Sequence, residues 1–491
     1  MAVIPNFSSK YLIPSGFTLL YLLLPTSNSG IDGYAYASAI RWGDELVWPH
    51  HLLYCLFGRF LFLCIPFIQP LVLMKAVNAI AAGLVLLTLD KTLRTMHIKY
   101  VGNFVFFIGS CFGMMRYATE NETYIIPILF SLAGTYYFIK YKSHPIPRYL
   151  FFSAWLFAVG VLFHQIHVFW FIGFALSLLI HSKSIYLRHI YVFIVTGFLV
   201  VSGVYVMVYY MWKEGREMSL IQFVFHDVYA GQVSTGITLR NFIMTPISFI
   251  RTFIQVHGYM KPMLMAWPVV LFIPIAFLVV AFICLKTLFK YSKKAVVPSD
   301  ILTKAVFWAF ILHLCFAFYS VGNAEFMVML PVLLVLWVVN TFDIPTKPVY
   351  YLALVMVMWN MVFGLSAMHF FDLDGTEKTL NLMEKNPQAR WILSEPQKVE
   401  NSYDYYHGPH ASAGKVIRIN HQDSVSTLVL TEVRKGEVLT DKLGSKGNFD
   451  RKHLLTGDGE GFPSLTTLNY SPVDSVEFFG GKRIIYRLSE K

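Results

Sequence analysis

The sequence feature that most constrains this chain is a succession of apolar runs, each about 18 to 25 residues long. A helix needs about 20 predominantly apolar residues to cross the hydrocarbon core of a bilayer. Of the 491 residues, 56% are hydrophobic and 14% are charged, whereas globular proteins carry about 25% charged residues. The runs therefore predict an α-helical polytopic membrane protein.

The last part of the chain, from His369, has a different composition. Its apolar runs are short, and it carries 16 Lys and Arg against 17 Asp and Glu, whereas the residues before it carry 24 and 12. The short β-like runs KVIRI, STLVL and RIIYRL are separated there by turn residues. We therefore expect a membrane domain over residues 1–368 and a small soluble α/β or β domain over residues 369–491.

The charges of the loops indicate which apolar runs cross the bilayer. Residues 51–70 are apolar, but Arg59 interrupts them and Pro66 and Pro70 close them. If this segment lies along the outer surface as juxtamembrane helices, the loops 90–99, 140–148, 182–189, 286–304 and 342–347 share one side of the membrane. That side then holds fourteen loop Lys and Arg, plus Lys10, against three Asp. Cytoplasmic loops carry such a basic excess. We therefore predict about eleven transmembrane helices, among them residues 100–117 and 263–289, with a cytoplasmic N-terminus and an external C-terminal domain.

Several other functional classes are not favoured. Membrane orientation accounts for the basic excess, so the charge does not indicate nucleic-acid binding. All five cysteines lie in apolar segments, which argues against a disulfide framework or a cysteine metal site. Asp372 and Asp374 form a D-x-D pair, a spacing too common to indicate a metal site by itself. No phosphate-binding loop or dinucleotide-binding fingerprint occurs in a supporting context.

The polar loop after the first apolar run, residues 32–54, is the principal candidate site. Charged groups are costly beside a membrane, so a polar cluster there indicates function. Asp32 lies a few residues beyond the run. A carboxylate at such a boundary suits a general base for an acceptor hydroxyl or amine, because desolvation makes it more basic. The alternative is that Asp32 only caps the helix that follows.

The same loop holds four more polar candidates. Asp44 and Glu45 form a turn that could cap the next helix, bind the acceptor or a metal, or simply be solvated. His50 and His51 are adjacent, and neighbours on a helix point about 100° apart, so both cannot easily bind one ion. We expect one of them to contact the donor phosphate or a carboxylate.

Other predicted external loops add charged residues and histidines. In RYATENETY, Arg116 is a candidate ion-pair partner or phosphate clamp, and Glu120 and Glu122 are the acidic candidates. His164 and His167 flank another short turn, where the alternative is a satisfied interfacial histidine. The further basic residues that could contact a phosphate are Lys75, Arg240, Arg251, His257 and Lys261.

These loops resemble those of the GT-C superfamily of glycosyltransferases that use lipid-linked sugars, especially a bacterial branch of the protein O-mannosyltransferase and aminoarabinose transferase group. That group has an acidic residue after its first span, a Y-A stretch, a G-D turn and a P-P-L-Y sequence, and then an Arg followed by an acidic residue in its second external loop. The matching residues here are Asp32, Tyr34, Tyr36, Ala37, Gly43, Asp44, the stretch 49–54, Arg116 and Glu120. The likeness covers residues 10–180 and the rest only as an architecture. His50-His51 and Glu325-Phe326 depart from the pattern and leave the donor sugar open.

The resemblance implies a membrane glycosyltransferase that moves a sugar from a polyprenyl-phosphate donor to an external glycan, lipid or protein acceptor, with inversion. Asp32 and Glu120 are the catalytic candidates: Asp32 as general base, and Glu120 positioning the acceptor or a divalent cation, a cofactor that stays open. The location implied is a bacterial inner membrane. The candidate substrate-binding residues are Asp44, Glu45, His50, His51, Tyr54, Arg59, Lys75, Arg116, Glu122 and His164.

A non-catalytic transporter or assembly component for lipid-linked glycans is the alternative. Transporters of this kind carry polar residues near the bilayer midplane and have repeated halves. Here the charged residues lie at the ends of the apolar runs, and the sequence contains no visible repeat. The sequence therefore favours the enzyme.

Overall fold

The structure is a computed structural model that describes residues 6–181, 187–212, 218–229, 236–256, 260–294, 300–418, 425–441 and 468–490. In chain order its helices are α1 (Asn6–Leu23), α2 (Ile31–Trp42), α3 (Tyr54–Cys64), α4 (Pro70–Thr95), α5 (Val101–Ser110), α6 (Phe112–Ala118), α7 (Ile125–Ser143), α8 (Pro147–Phe163), α9 (Val168–Ile180), α10 (Leu187–Met211), α11 (Leu220–Val224), α12 (His226–Tyr229), α13 (Leu239–Phe253), α14 (Met260–Ala266), α15 (Phe272–Tyr291), α16 (Ile301–Tyr319), α17 (Leu330–Thr341), α18 (Thr346–Asn360), α19 (Ala367–Phe370), α20 (Thr376–Lys385), α21 (Pro396–His407) and α22 (Val425–Lys435). Short 3-10 helices cover Pro49–His51, Gln165–His167, Pro268–Leu271 and Ala324–Met327, and Met361–Ser366 is π-helical. The strands are β1 (Lys293–Lys294), β2 (Phe342–Asp343), β3 (Arg390–Ile392), β4 (Val438–Thr440), β5 (Asn469–Phe478) and β6 (Gly481–Ser489).

The chain forms two compact units. The first consists of residues 1–26 and 45–366, and the second of residues 27–44 and 367–491. The second unit thus includes the first half of the polar loop, which the sequence analysis assigns to the membrane domain. The assignment of residues 1–368 and 369–491 as domains stays a prediction.

Six helical segments in the described part of the chain are long and apolar enough to cross a membrane. They are Pro70–Thr95, Leu187–Met211, Pro268–Tyr291, Ile301–Tyr319, Ala324–Thr341 and Thr346–Phe370. Four shorter apolar helices accompany them, at Tyr54–Cys64, Val101–Ser110, Pro147–Phe163 and Gln165–Ile180. The number of eleven spans stays a prediction.

The segment between residues 51 and 70 is a short helix and not a span. Helix α3 has 11 residues, which gives it a length of about 16 Å, roughly half the thickness of the hydrocarbon core. The long helix α4 begins only at Pro70. This agrees with a juxtamembrane helix in the polar loop.

One expected span, residues 100–117, is wrong as a single helix. The chain breaks at Cys111, whose extended backbone separates α5 from α6. A break in an apolar helix leaves carbonyl groups without their helical partners, and these need other donors. Asn360 on α18 donates through Nδ2 to the carbonyl oxygen of Ser110 (2.8 Å). The expected span 263–289 is likewise divided, into α14, a 3-10 turn at Pro268 and α15.

Close packing of α9 against α16 brings together two helices that are distant in sequence. A Cβ atom on Gly173 of α9 would lie 2.4 Å from the backbone nitrogen of Ala309 on α16. Only glycine allows this approach, and small residues are typical of helix contacts in membrane proteins. This packing brings His167, which lies just before α9, close to His313 on α16.

The second unit contains a four-stranded sheet with the order β3-β4-β6-β5. The first pair is parallel and the other two are antiparallel. Helix α2 packs on α21, and the indole nitrogen of Trp42 donates to the carbonyl oxygen of Asp404 (3.0 Å). The expected small C-terminal sheet is present, and helix α2 belongs to the same unit.

Of the three strands predicted in this unit, two do not form strands in the structure. RIIYRL forms most of β6, but STLVL lies in helix α22. Val429, Leu430 and Val433 of that helix pack against one apolar cluster, a spacing that suits one helical face. The five-residue run is too short for its period to distinguish helix from strand. In KVIRI, only Val416 forms a β-bridge, to Trp391, and Ile419 lies outside the described residues.

Candidate functional site

The second predicted external loop, residues 119–124, is buried along its whole length in the first unit. Asn78 on α4 donates through Nδ2 to the carbonyl oxygens of Glu120 (2.8 Å) and Glu122 (2.7 Å). The hydroxyl of Tyr54 on α3 donates to Oδ1 of Asn121 (2.8 Å). These bonds fix the loop backbone between α6 and α7, and with it the two glutamates.

We expect Asn78→Ala to lower the free energy of unfolding by about 2 kcal/mol, because two buried carbonyl oxygens each lose a hydrogen bond. Chemical denaturation in mild detergent measures the change. Asn103→Ala is the matched control, since half-buried Asn103 donates one bond, to Thr346 O (3.0 Å), and its loss costs about 1 kcal/mol. Equal losses in the two variants would contradict the special role of Asn78.

Charged groups are buried on this loop and beside it. Glu120 and Glu122 are 5% and 6% exposed, and Lys75 is 8% exposed. Nζ of Lys75 donates to the carbonyl oxygen of Thr26 (2.8 Å), and the backbone N–H of Thr26 donates to Thr119 at the start of the loop (3.0 Å). Buried charges persist only where other groups compensate them, and for Lys75 the carbonyl oxygen of Thr26 is one such group.

Four charges, one of them that of Glu122, act on one buried phenol, that of Tyr117 on α6. They belong to Arg116, Arg251, Glu122 and Glu325. These residues come from α6, α13, the buried loop and the 3-10 helix at Ala324–Met327, so only the folded chain assembles them. We call Lys75, Arg116, Arg251, Glu120, Glu122 and Glu325 the charged cluster. It contains three cations and three carboxylates.

Helix α13 presents its polar side to the protein and its apolar side outwards. Asn241, Ser248 and Thr252 are buried, and the exposed side chains are Leu239, Phe242, Ile247 and Ile250. Asn360 holds the end of the helix: its Nδ2 donates to the carbonyl oxygen of Phe253 (2.8 Å), and its Oδ1 accepts from the backbone N–H of Gln255 (2.9 Å). This contact fixes the turn that carries Arg251.

Five histidines lie in contact near the charged cluster. The ring centroids are 4.1 Å apart for His50 and His51, 4.3 Å for His51 and His164, 6.5 Å for His164 and His167, and 5.8 Å for His167 and His313. In the described structure, Nε2 of His164, Nε2 of His167 and both ring nitrogens of His313 have no hydrogen-bond partner. Nδ1 of His164 accepts from the backbone N–H of Ile166 (3.3 Å).

Burial determines the charge of the two central rings. Burial lowers the pKa of His51 and of His164 well below the usual value of about 6.5, and the neighbouring His50 lowers both further. Both rings are therefore neutral near pH 7. A neutral imidazole is both a proton donor and a proton acceptor.

The outer end of the histidine series is a carboxylate, Asp227 on α12. Nδ1 of His50 lies 3.1 Å from its Oδ2, and Nδ1 of His226 lies 3.3 Å from its Oδ1. Burial raises the pKa of Asp227, but hydrogen bonds and charges from the two histidines outweigh burial and bring the pKa below its ordinary value. The sequence analysis expects one histidine of the doublet to contact either the donor phosphate or a carboxylate. His50 contacts a carboxylate, that of Asp227.

Asp32 lies in the second unit, in the first turn of α2, and is exposed. Gly30 occupies the N-cap position, so the alternative that Asp32 caps this helix is wrong. Gly43 ends the helix in a left-handed conformation, with φ 76°. Asp44 after it lies 3.5 Å from Nε2 of His410, and exposed Glu45 has a positive φ of 48°.

The structure places the sequence-predicted residues in several different regions. The buried loop and its surroundings contain Tyr54, Lys75, Arg116, Glu120 and Glu122, and the histidine series contains His50, His51 and His164. Asp32 and Asp44 belong to the second unit. The guanidinium of Arg59 on α3 lies over the ring of Phe62 (5.8 Å), Arg240 and Lys261 are on α13 and α14, and His257 lies outside the described residues.

Sequence reasoning missed Asn78, Tyr117, Asp227 and His313. For Asn78 and His313 a signal existed, because each is a polar residue inside an apolar run, where such residues are rare and often functional. Asp227 carries no local signal. It lies in a four-residue helix, and only folding brings it to His50.

No group of three or more His, Cys, Asp or Glu that could hold a metal ion occurs in the described part of the chain. The D-x-D pair has other partners. Oδ1 of Asp372 accepts from the backbone N–H of Gly375 (2.6 Å), Oδ1 of Asp374 accepts from that of Thr376 (2.9 Å), and Asp374 pairs with Lys398. These contacts lie at the N-terminal end of α20.

No protein-family model and no curated protein matches the chain. Among solved structures, that of ArnT from Cupriavidus metallidurans bound to undecaprenyl phosphate is similar, with a TM-score of 0.57 and 10% sequence identity, over 98% of each chain. The same protein in the apo state gives a TM-score of 0.47 at 10% identity, over 97% of each chain. The chain therefore shares the fold of this ArnT structure. With this fold and its six long apolar helices, it is an integral membrane protein.

Because the likeness to this structure extends over 98% of each chain, it includes both the apolar helices and the small C-terminal sheet. The expected fold class is confirmed. The likeness concerns the fold alone, so the roles of individual residues depend on the geometry of this chain.

Proposed function

We propose that this protein transfers a sugar from a polyprenyl-phosphate donor to an acceptor on the external side of a bacterial plasma membrane, with inversion at the anomeric carbon. The observation that carries the proposal is the charged cluster. Charges are rarely buried in a membrane protein without a function, and here three cations are buried or half-buried with three carboxylates. The GT-C-like fold supports the same class, since the ArnT structure of similar fold is bound to undecaprenyl phosphate.

Arg116 and Arg251 bind the donor phosphate in this proposal. Guanidinium groups bind phosphate oxygens through paired hydrogen bonds, and two of them on different helices approach one phosphate from two directions. Lys75 adds a third positive charge close to the buried loop. The apolar outer side of α13 is suited to lipid, so the polyprenyl chain lies along it while the phosphate reaches the polar side.

Asp32 is the general base of the proposed reaction. Its carboxylate takes the proton of the acceptor hydroxyl or amine as the acceptor atom attacks the anomeric carbon. The bond from that carbon to the phosphate oxygen breaks on the opposite face, and polyprenyl phosphate leaves. The arginines stabilise the charge that develops on the leaving oxygen. Glu120, fixed in the buried loop, positions the acceptor.

Lipid-linked sugars in a deletion strain test the function. We expect the strain to accumulate one polyprenyl-phosphate sugar and to lose the same sugar from an envelope glycan, lipid or protein, as detected by mass spectrometry. Re-expression of the wild-type chain restores both. A transporter gives a different result, since in proteoliposomes it would move the accumulated lipid between leaflets without converting it to polyprenyl phosphate. That outcome would overturn the enzymatic function.

A further inference from the structure

A continuous series of side chains joins two carboxylates of the first unit. In order, its members are Asp227, His50, His51, His164, Tyr124 and Glu325. We call this series the histidine relay. It begins at the half-buried Asp227 and ends in the charged cluster, at Glu325.

Each step of the histidine relay is a direct contact. At one end, Nδ1 of His50 lies 3.1 Å from Asp227. The three histidine rings follow at centroid distances of 4.1 Å and 4.3 Å, and the ring of Tyr124 lies 5.1 Å from that of His164. At the other end, the Tyr124 hydroxyl donates to Oε2 of Glu325 (3.1 Å). In the proposal that follows, a proton would pass each contact between two rings by rotation of a ring or through one bridging water.

The two middle histidines of the relay, His51 and His164, are suited to pass a proton on and not to hold a positive charge. His51 and His164 are 4% and 5% exposed, and burial keeps both rings neutral near pH 7. Nε2 of His164 has no hydrogen-bond partner in the described structure. A buried polar atom without a partner is costly, and a role in transient proton transfer accounts for its retention.

We propose that the histidine relay carries protons between the Asp227 end and Glu325, so that the charge of Glu325 follows the charge of the donor phosphate beside Arg116 and Arg251. This rests on the proposed function. Sugar transfer converts a phosphodiester, which carries one negative charge, into a phosphomonoester, which carries about 1.5 to 2 negative charges. Protonation of Glu325 offsets the added charge, and its deprotonation restores the pairing of carboxylates and arginines once the lipid has left.

The proton balance is simple. A proton enters at the Asp227 end, and His50 and His51 each accept a proton on one ring nitrogen and pass one from the other. His164 does the same once its ring turns away from the backbone N–H of Ile166, from which Nδ1 accepts a hydrogen bond in the structure. Tyr124 gives its hydroxyl proton to Glu325 and takes a proton from His164. Only N–H and O–H bonds form and break, no electrons are exchanged, and one proton from solvent becomes the proton of the Glu325 carboxyl group.

Other titratable groups face the relay along its length. His226 acts on Asp227, Asp227 acts on Tyr205, and His313 acts on His164. The remaining groups that face it are His167, Tyr117, Arg116, Arg251 and Glu122. His167 and His313 form a side branch, because they lead away from Tyr124 into the contact between α9 and α16.

A pH jump without any donor tests the relay. The full-length protein in detergent is taken rapidly from about pH 8 to about pH 4, across the usual range of a glutamic acid, while infrared spectroscopy follows the protonated carboxyl band. Glu325→Gln identifies the band of Glu325. We expect His164→Asn to slow protonation of Glu325 about tenfold. Asparagine keeps an oxygen that can accept from the N–H of Ile166, but it does not relay protons.

His313→Asn is the matched control, since it changes a buried histidine of the side branch in the same way. We expect the rate of Glu325 protonation to be unchanged in this variant. Equal rates in wild-type and His164→Asn protein, equal slowing in both variants, or no change of the Glu325 band in wild-type protein would each overturn the proposal. Because the measurement needs no donor, its result is independent of whether the deletion strain supports the transferase function.

Discussion

Asp32→Asn lowers the rate of sugar transfer by about 10²- to 10⁴-fold, the range expected for loss of a general base. The amide has nearly the shape of the carboxylate but does not accept the acceptor proton. The measurement is the conversion of the accumulated lipid-linked sugar by membranes that contain equal amounts of each variant. Since only the base is lost, binding of polyprenyl phosphate is expected to stay within about twofold of wild type.

The structure explains why this substitution leaves the fold intact. Asp32 is exposed in the first turn of α2, and the N-cap position belongs to Gly30. Loss of a negative charge near a helix N-terminus costs only about 0.3 to 1 kcal/mol. Asp343→Asn is the matched control, because Asp343 is an exposed carboxylate of a loop predicted on the opposite side of the membrane. Full transfer activity in Asp32→Asn would remove Asp32 from the mechanism.

The second large effect concerns the phosphate. Arg251→Gln is expected to weaken binding of polyprenyl phosphate about 10- to 100-fold, because charge-assisted hydrogen bonds to a phosphate contribute about 1.5 to 3 kcal/mol. Titration of the detergent-solubilised protein with polyprenyl phosphate measures the dissociation constant. Raising the salt concentration is expected to weaken binding to wild-type protein more than binding to this variant.

Two further variants separate charge from geometry. Arg251→Lys keeps the charge but loses the planar pair of donors, so its dissociation constant is expected between those of wild type and Arg251→Gln. Arg148→Gln removes an exposed arginine at the start of α8, in a loop predicted on the cytoplasmic side, and is expected to bind as wild type does. If Arg148→Gln and Arg251→Gln weaken binding equally, Arg251 has no special part in the site.

Much of the candidate site could be predicted because its residues are conspicuous in their sequence context. Glu120, Glu122 and Arg116 stand at the end of an apolar run, where charge is costly, and the structure buries both glutamates. The doublet His50-His51 likewise belongs to a polar loop between apolar segments. Their burial and partners could not be read from the sequence, since the partners, such as Asn78 and Asp227, come from other helices.

Local pattern determined the apolar helices, the short helix α3 and the presence of a small C-terminal sheet, since each depends on the hydrophobicity and turn residues of a continuous stretch. Tertiary structure alone decided the rest. It broke the expected span at Cys111, made STLVL helical, assigned Asp32 to the second unit, and assembled the charged cluster and the histidine relay. These features depend on which side chains meet across distant segments, and a charge or an imidazole acquires its partner only when helices far apart in sequence pack together.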